Sequence, residues 1–309
     1  MTGVSQSDRI GPRADLGECR YGPLARAKSP SPSPRPVSRA TECPLAILHP
    51  QSMEKLTMLA HPTLEKLHAL RLLGMARAFE EQLHMDGIDA LSTEERLGLM
   101  VDREMTERDV RRLKYRLRKA KLRHQDACVE DIDLRHPRGL DRSLITKLTT
   151  SQWLREHLNI LICGPTGIGK SWLACAFANK ACREGFSAFY SRVPRFLREL
   201  NRAKGDGSYP KLLAALAKTD LLVLDDLGAG KLNDEHRHDL LEVLEDRYAL
   251  RSTLVTSQYP VDHWHEVIGD PTLADAILDR LVHNAYKLQL KGESMRKKRK
   301  LTETDQSKA

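Results

Sequence analysis

The sequence predicts an α/β protein: a mostly parallel sheet covered on both faces by helices, preceded by a small all-helical module. Three observations carry this reading. From Asn159 onward, short apolar runs of strand length alternate with stretches of helical periodicity. One turn between them, Gly164–Ser171, reads GPTGIGKS and fits G-x-x-x-x-G-K-[ST] in full, between a strand and a helix. A later apolar run, LLVLDDLG at Leu221–Gly228, ends in two adjacent aspartates.

Composition bounds the rest. The chain has 309 residues, 40% hydrophobic and 30% charged, enough for one sizeable core plus a smaller module, and its 5% aromatic content speaks against a β-sandwich. No apolar run approaches the roughly 20 residues of a membrane span, and the first 25 residues lack the apolar core of a signal peptide. The six cysteines show no C-x-x-C spacing. Cys163, Cys175 and Cys182 lie in apolar segments, as buried, inert thiols would, which fits a reducing, cytoplasmic setting. The formal net charge of +8 matters through where it is concentrated.

In chain order, residues 1–57 read as a disordered extension rich in Pro, Ser and Arg. Residues 1–52 hold eight of the fifteen prolines, with KSPSPSPRP at Lys28–Pro36. A polyproline or basic tether is the functional alternative, and a natural start at Met53 or Met58 is another. Residues 58–125 read as the helical module. In HPTLEKLHALRLLGMARAFEEQL, Leu64, Leu67, Leu70/Leu72, Met75, Phe79 and Leu83 keep three-to-four spacing, predicting one amphipathic helix. A second helix opens at Ser92, where STEE supplies a capping box to Glu95. Residues 126–158 read as a linker and 159–300 as the α/β domain, with strands at 159–163, 187–191, 221–225, 253–257 and 286–290 and a helix over 234–250. Residues 301–309 read as a tail.

The eight residues Gly164, Pro165, Thr166, Gly167, Ile168, Gly169, Lys170 and Ser171 form a phosphate cradle. Its glycines let successive N–H groups point into one concavity at a helix N-terminus. Lys170 is placed to reach the β- and γ-phosphates of ATP and the Ser171 hydroxyl to ligate Mg²⁺. A buried strand ending at Asp225 brings a second Mg²⁺ ligand, a carboxylate, beside the cradle. Asp226, next in sequence, is a candidate to orient and deprotonate the attacking water; a solvated loop aspartate is the competing reading. Thr256, Ser257 and Gln258, at the end of the 253–257 strand, are candidates to sense the γ-phosphate, and the pattern does not say which points inward. Arg280 precedes the last strand. An internal salt bridge and an arginine finger reaching a neighbour's nucleotide are both open on the pattern alone.

Between Arg103 and Arg123 there are ten Lys/Arg against three Asp/Glu. Val110, Leu113, Leu117 and Ala120 keep one face apolar, so Arg111, Arg112, Lys114, Arg116, Arg118, Lys119, Lys121 and Arg123 form a basic ridge suited to a phosphate backbone, with salt-sensitive, largely sequence-independent affinity. A solvated charged face is the bland alternative. The run RKKRK at Arg296–Lys300 is more readily read as a charged tail.

Several stretches together resemble one family: LEKLHALRLLGMARAFEEQ, CVEDIDLRHPRGLDRSLITKL, GPTGIGKSWLACAFANKACREG, LLVLDDLG, DLLEVLEDRY and the long run from STLVTSQYPVDHW to LKGESMRK. The chain is similar over roughly Leu64–Lys298 to the IstB-like insertion-sequence ATP-binding proteins, helper ATPases of a transposase within the AAA+ class and near the DnaC helicase loaders. The resemblance implies a P-loop AAA+ core with strand order 5-1-4-3-2 and a helical DNA-binding module. It also implies ATP-dependent homo-oligomers on double-stranded DNA and recruitment or regulation of a cognate transposase; the lack of a long apolar run argues for no membrane partner. It implies Lys170 and Asp226 as catalytic positions, Ser171 and Asp225 as metal contacts, Arg280 as the finger, and Arg296 as a further nucleotide contact. A DnaC-like loader of a replicative helicase is the nearest rival. A small-molecule P-loop kinase is the third, and it leaves the basic ridge and Arg280 unexplained.

Overall fold

The computed structural model describes residues 62–295; the expectations for the 1–57 extension, for Arg296 and the basic run through Lys300, and for the 301–309 tail lie outside them. Five strands form one sheet: β1 (Asn159–Cys163), β2 (Ala188–Arg192), β3 (Leu221–Leu227), β4 (Ser252–Ser257) and β5 (Ala285–Gln289). Every pairing is parallel and the order is β2-β3-β4-β1-β5. Read from the other edge this is 5-1-4-3-2, the P-loop AAA+ order. Strand ends differ from the sequence expectation by one or two residues, the usual uncertainty at termini.

The central strands β1, β3 and β4 are buried on both sides, and β1 and the first half of β3 are accordingly continuously apolar rather than alternating. Ile160 and Ile162 of β1 face one core together with Val223 and Leu254; Leu161 and Cys163 face a second with Leu222, Leu224 and Val255. The first core is closed by α6 (Lys170–Arg183), whose Leu173, Ala174, Phe177 and Ala181 are buried. The second is closed by α7 (Val193–Gly205), α8 (Tyr209–Lys218), α9 (Asp234–Glu245), α10 (Trp264–Ile268) and α11 (Pro271–Val282). The helix expected over 234–250 ends at Glu245, because the chain turns there to bury Arg247. That guanidinium, 1% exposed, donates to the carbonyls of Leu216, Thr219 and Ser252.

The single helix expected from Leu64 to Leu83 is two, α1 (Pro62–Ala69) and α2 (Leu73–Leu83). Arg71 takes a left-handed φ of 58° and the Leu72 amide bonds back to the Leu67 carbonyl, a helix-ending pattern that the three-to-four spacing runs through without a mark. The reason is tertiary. α2 crosses α3 (Thr93–Ala120) so closely at Gly74 that a Cβ there would sit 2.6 Å from the Glu104 Cα. The Glu104 carboxylate caps the new helix start, accepting from the Gly74 amide at 2.6 Å and the Met75 amide at 3.3 Å. Burial alone would push Glu104 up, but the Arg108 hydrogen bond and these two amides outweigh it and hold its pKa below the ordinary range.

The Ser92 capping box at the start of α3 is formed in both directions. At its other end Ala120 and Leu122 enter the first sheet core. Residues 126–158, expected as linker, carry α4 (Arg142–Thr149) and α5 (Gln152–Arg155) and bury Ile145, Leu148 and Trp153 in that same core. Cys163, Cys175 and Cys182 are buried free thiols, each pushed up to about 11 chiefly by burial. Among the described residues, no helix is long and apolar enough to cross a membrane.

Candidate active site

The turn from β1 into α6 carries Gly164–Gly169 to the carboxyl edge of the sheet. Gly167 and Gly169 have φ of 86° and 100°, which disfavours any side chain. A Cβ on Gly167 would also lie 2.1 Å from the Ser294 Oγ. The chain beyond β5 runs along the loop here, and the Met295 amide donates to the Gly167 carbonyl at 3.0 Å. Lys170, 5% exposed, sits at the first turn of α6 and donates from Nζ to the carbonyls of Gly164 at 2.7 Å and Pro165 at 3.0 Å. The ammonium is thus held at the mouth of the cradle, where a phosphate oxygen can take the place of those carbonyls. The Thr166–Gly169 amides, the helix N-terminus and the lysine fit a nucleotide polyphosphate.

Asp225, fully buried, is the hub of the site. Its Oδ1 accepts from the Ser171 Oγ at 2.9 Å and the Thr256 Oγ1 at 2.6 Å; its Oδ2 accepts from the Tyr190 hydroxyl at 2.6 Å. Burial and the Asp225 carboxylate push Tyr190 far up, so it stays a donor. The Ser171 hydroxyl beside a buried carboxylate is a donor set of oxygen character, which fits Mg²⁺.

Asp225 and Asp226 avoid one another through a β-bulge. The β3–β4 register runs Leu224 opposite Val255 and then Leu227 opposite Ser257, so β3 carries one extra residue. Asp226 takes up the excess at φ 62°. Its amide donates to the Thr256 Oγ1 at 2.9 Å, and its carboxylate accepts from the Arg192 Nε at 2.9 Å. Asp226 therefore faces Arg192 at the end of β2, a partner that neither sequence reading, the base for the attacking water or the solvated loop aspartate, included.

Of the three candidates on β4, Thr256 points inward and ties both aspartates. Ser257 is buried but its hydroxyl donates to the Leu227 carbonyl, and Gln258 is exposed. Arg280 lies at the other edge of the sheet. Its carbonyl accepts from the Asn159 side chain at the amino end of β1, and its guanidinium pairs with Glu245 at 2.5 Å. The structure does not bring Arg280 to this chain's own phosphate loop.

The basic ridge is narrower than the sequence suggests. Arg116 turns inward and donates to the Cys182 carbonyl at 2.8 Å and Arg111 engages the buried Glu104, whereas Arg112 stays at the surface beside the exposed Asp109. Arg118 and Lys119 flank the exposed Tyr115 ring. Lys121 and Arg123 lead from the ridge into a recess of about 390 Å³, lined also by Phe189, Tyr190, Arg192, Arg195 and Glu199, the last pairing with Arg195 at 3.0 Å. Sequence reasoning missed Tyr190 and Arg192, which are signalled only by their place at the carboxyl end of β2, and Arg138, a buried residue in the HPRG turn with no motif around it.

A family model described as IstB-like ATP binding protein matches residues 65–303. The insertion sequence ATP-binding protein y4pL of Sinorhizobium fredii is 56% identical over 240 residues, 78% of this chain and 98% of the relative. The insertion sequence IS1162 ATP-binding protein of Pseudomonas fluorescens is 51% identical over 203 residues, 66% of this chain and 88% of the relative. A solved structure of the DnaC helicase loader is 21% identical, with a TM-score of 0.45, covering 55% of this chain and 99% of that one.

Proposed function

This chain belongs to the family of IstB-like ATP binding proteins, and from that premise we propose that it is an ATP-hydrolysing, DNA-binding helper of transposition. In this reading it assembles with copies of itself on duplex DNA in an ATP-dependent way and recruits or regulates a cognate transposase. The observation that carries the ATPase part is the 2.9 Å hydrogen bond from Ser171 to Asp225, which joins the start of α6 to the acidic end of β3 beside Lys170.

The geometry supports the following roles. The Thr166–Gly169 amides and Lys170 hold the polyphosphate. Ser171 and Asp225 are the residues to hold Mg²⁺, which when bound supplies positive charge against the β- and γ-phosphates. Asp226 orients and deprotonates the attacking water once it leaves Arg192. Thr256 keeps both aspartates in place, and Arg280 serves a neighbouring subunit. Residues 58–125 supply the DNA-facing module, 159–300 the ATPase domain. The exposed cations of α3, continued by Lys121, Arg123, Arg192 and Arg195, support a phosphate-backbone contact.

The test is hydrolysis and duplex-DNA sedimentation of the full chain, with and without ATP, followed by pull-down of a candidate cognate transposase. DNA binding that strengthens with ATP and retains the transposase is expected. Absence of hydrolysis with and without DNA sinks the ATPase reading; ATP-independent DNA binding sinks the assembly reading.

A further inference from the structure

A buried arginine lies against the phosphate loop and is used by none of the roles above. Arg138 is 3% exposed. Its backbone is anchored at the exit of β5, where its carbonyl accepts from the Lys291 amide at 3.0 Å. Its side chain reaches the loop: Nη1 faces the Ile168 carbonyl at 3.4 Å and the Met295 sulfur at 3.6 Å, and Nη2 donates to the Asp133 carbonyl at 3.2 Å. Nη1 also stands 2.9 Å from where a Cβ on Gly169 would be, so the guanidinium touches the loop just before Lys170. Nε is buried and has no hydrogen-bond partner among the described residues.

The charges around it are few. Arg138 makes no ion pair among the described residues, and the Asp133 carboxylate is occupied with the amides of Arg135 and His136. Burial lowers the Arg138 pKa, with Asp133 offsetting it only in part. A cation held this way, on long contacts to neutral acceptors, is costly until an anion arrives. The adjacent cradle is shaped for one.

We propose that Arg138 is a positioning residue of the nucleotide site: it sets the course of the loop at Ile168–Gly169, and the nucleotide polyphosphate offsets its buried charge. This rests on the reading of Gly164–Ser171 as that site. The signature is opposite in sign for the two states. The charge burdens the empty protein and favours the occupied one, whereas a purely structural clasp stabilises both equally.

The full chain is compared with Arg138→Met, Arg138→Lys and Lys170→Ala by thermal unfolding without nucleotide and by direct titration with a fluorescent ADP analogue. Arg138→Met is expected to unfold at the wild-type midpoint or above it and to bind the analogue at least tenfold more weakly. Arg138→Lys should recover most of the affinity. Wild-type affinity in Arg138→Met, with binding lost in Lys170→Ala, overturns the proposal and leaves the nucleotide site standing. No binding by the wild-type chain overturns the site itself. Should Arg138→Met not fold, Arg138→Gln keeps donors for the carbonyls without the charge: tenfold weaker binding supports the proposal and wild-type affinity overturns it.

Discussion

Arg192, the last residue of β2, donates from Nε to Oδ2 of Asp226 on the bulge of β3 at 2.9 Å. In the proposed reaction that carboxylate has to face the attacking water, and the hydrogen bond to Arg192 holds it toward β2 instead. Arg192→Gln is therefore expected to raise basal hydrolysis several-fold while leaving nucleotide affinity unchanged. Because Arg192 is half exposed, salt should weaken the pair, so wild-type basal hydrolysis should climb with ionic strength and the variant's should not. Asp226→Asn should slow hydrolysis by about 10²-fold or more without weakening binding. Asn tolerates the left-handed backbone of that position, so the comparison is free of a folding effect. Equal single-turnover rates for Asp226→Asn and wild type would remove the proposed base.

Thr256 bridges the two aspartates, donating to Asp225 at 2.6 Å and accepting from the Asp226 amide at 2.9 Å. Thr256→Val keeps the shape and leaves a buried carboxylate oxygen and a buried amide each short of a partner, at about 1–3 kcal/mol per group. The thermal midpoint should fall by several degrees and hydrolysis with it, whereas Thr256→Ser should restore both. Gln258→Ala, on an exposed side chain, should change neither. If Thr256→Val unfolds at the wild-type midpoint and hydrolyses normally, the bridge is dispensable.

The orientation of the ridge side chains divides its cations into two groups. Reversing Arg112, Lys114, Arg118 and Lys119 to Glu should weaken duplex binding and reduce the dependence of log K on log salt by about 0.9 for each phosphate that the ridge no longer neutralises. Arg116→Glu should instead destabilise the fold, because Arg116 holds the Cys182 carbonyl at the junction of α3 with α6. An unchanged salt slope in the quadruple variant, measured by fluorescence anisotropy across a salt series, would return the ridge to a solvated charged face.

The parts legible in the sequence are those specified locally. GPTGIGKS carries its own turn geometry, LLVLDD is a buried strand by composition, and Ser92 and Glu95 form a cap within four residues. The parts that escaped depend on partners distant in sequence. Periodicity runs unbroken through Arg71, and only the crossing of Gly74 with Glu104 shows why a helix must end there. The two aspartates point apart because of the β4 register, which their own segment does not encode. Tyr190, Arg192 and Arg138 acquire a role only when β2 and the turn before α4 are folded against the site. A lone arginine or tyrosine has no spacing to betray it.

Arg280 supports a prediction that separates the two readings left open by its pattern. It sits beside Asn159, and the five residues of β1 put about 16 Å of strand between that end of the sheet and Gly164. A long side chain does not cover that span, so a part in hydrolysis requires the nucleotide of another subunit. Arg280→Ala subunits supply an intact cradle without a finger, and Lys170→Ala subunits a finger without a working cradle. Each alone should hydrolyse poorly, and mixing them should restore a measurable fraction of the activity, passing through a maximum as the ratio is varied. The pair with Glu245 makes a rival prediction: a structural Arg280 gives no recovery at any ratio, and its loss is matched by Glu245→Gln in thermal midpoint and activity alike.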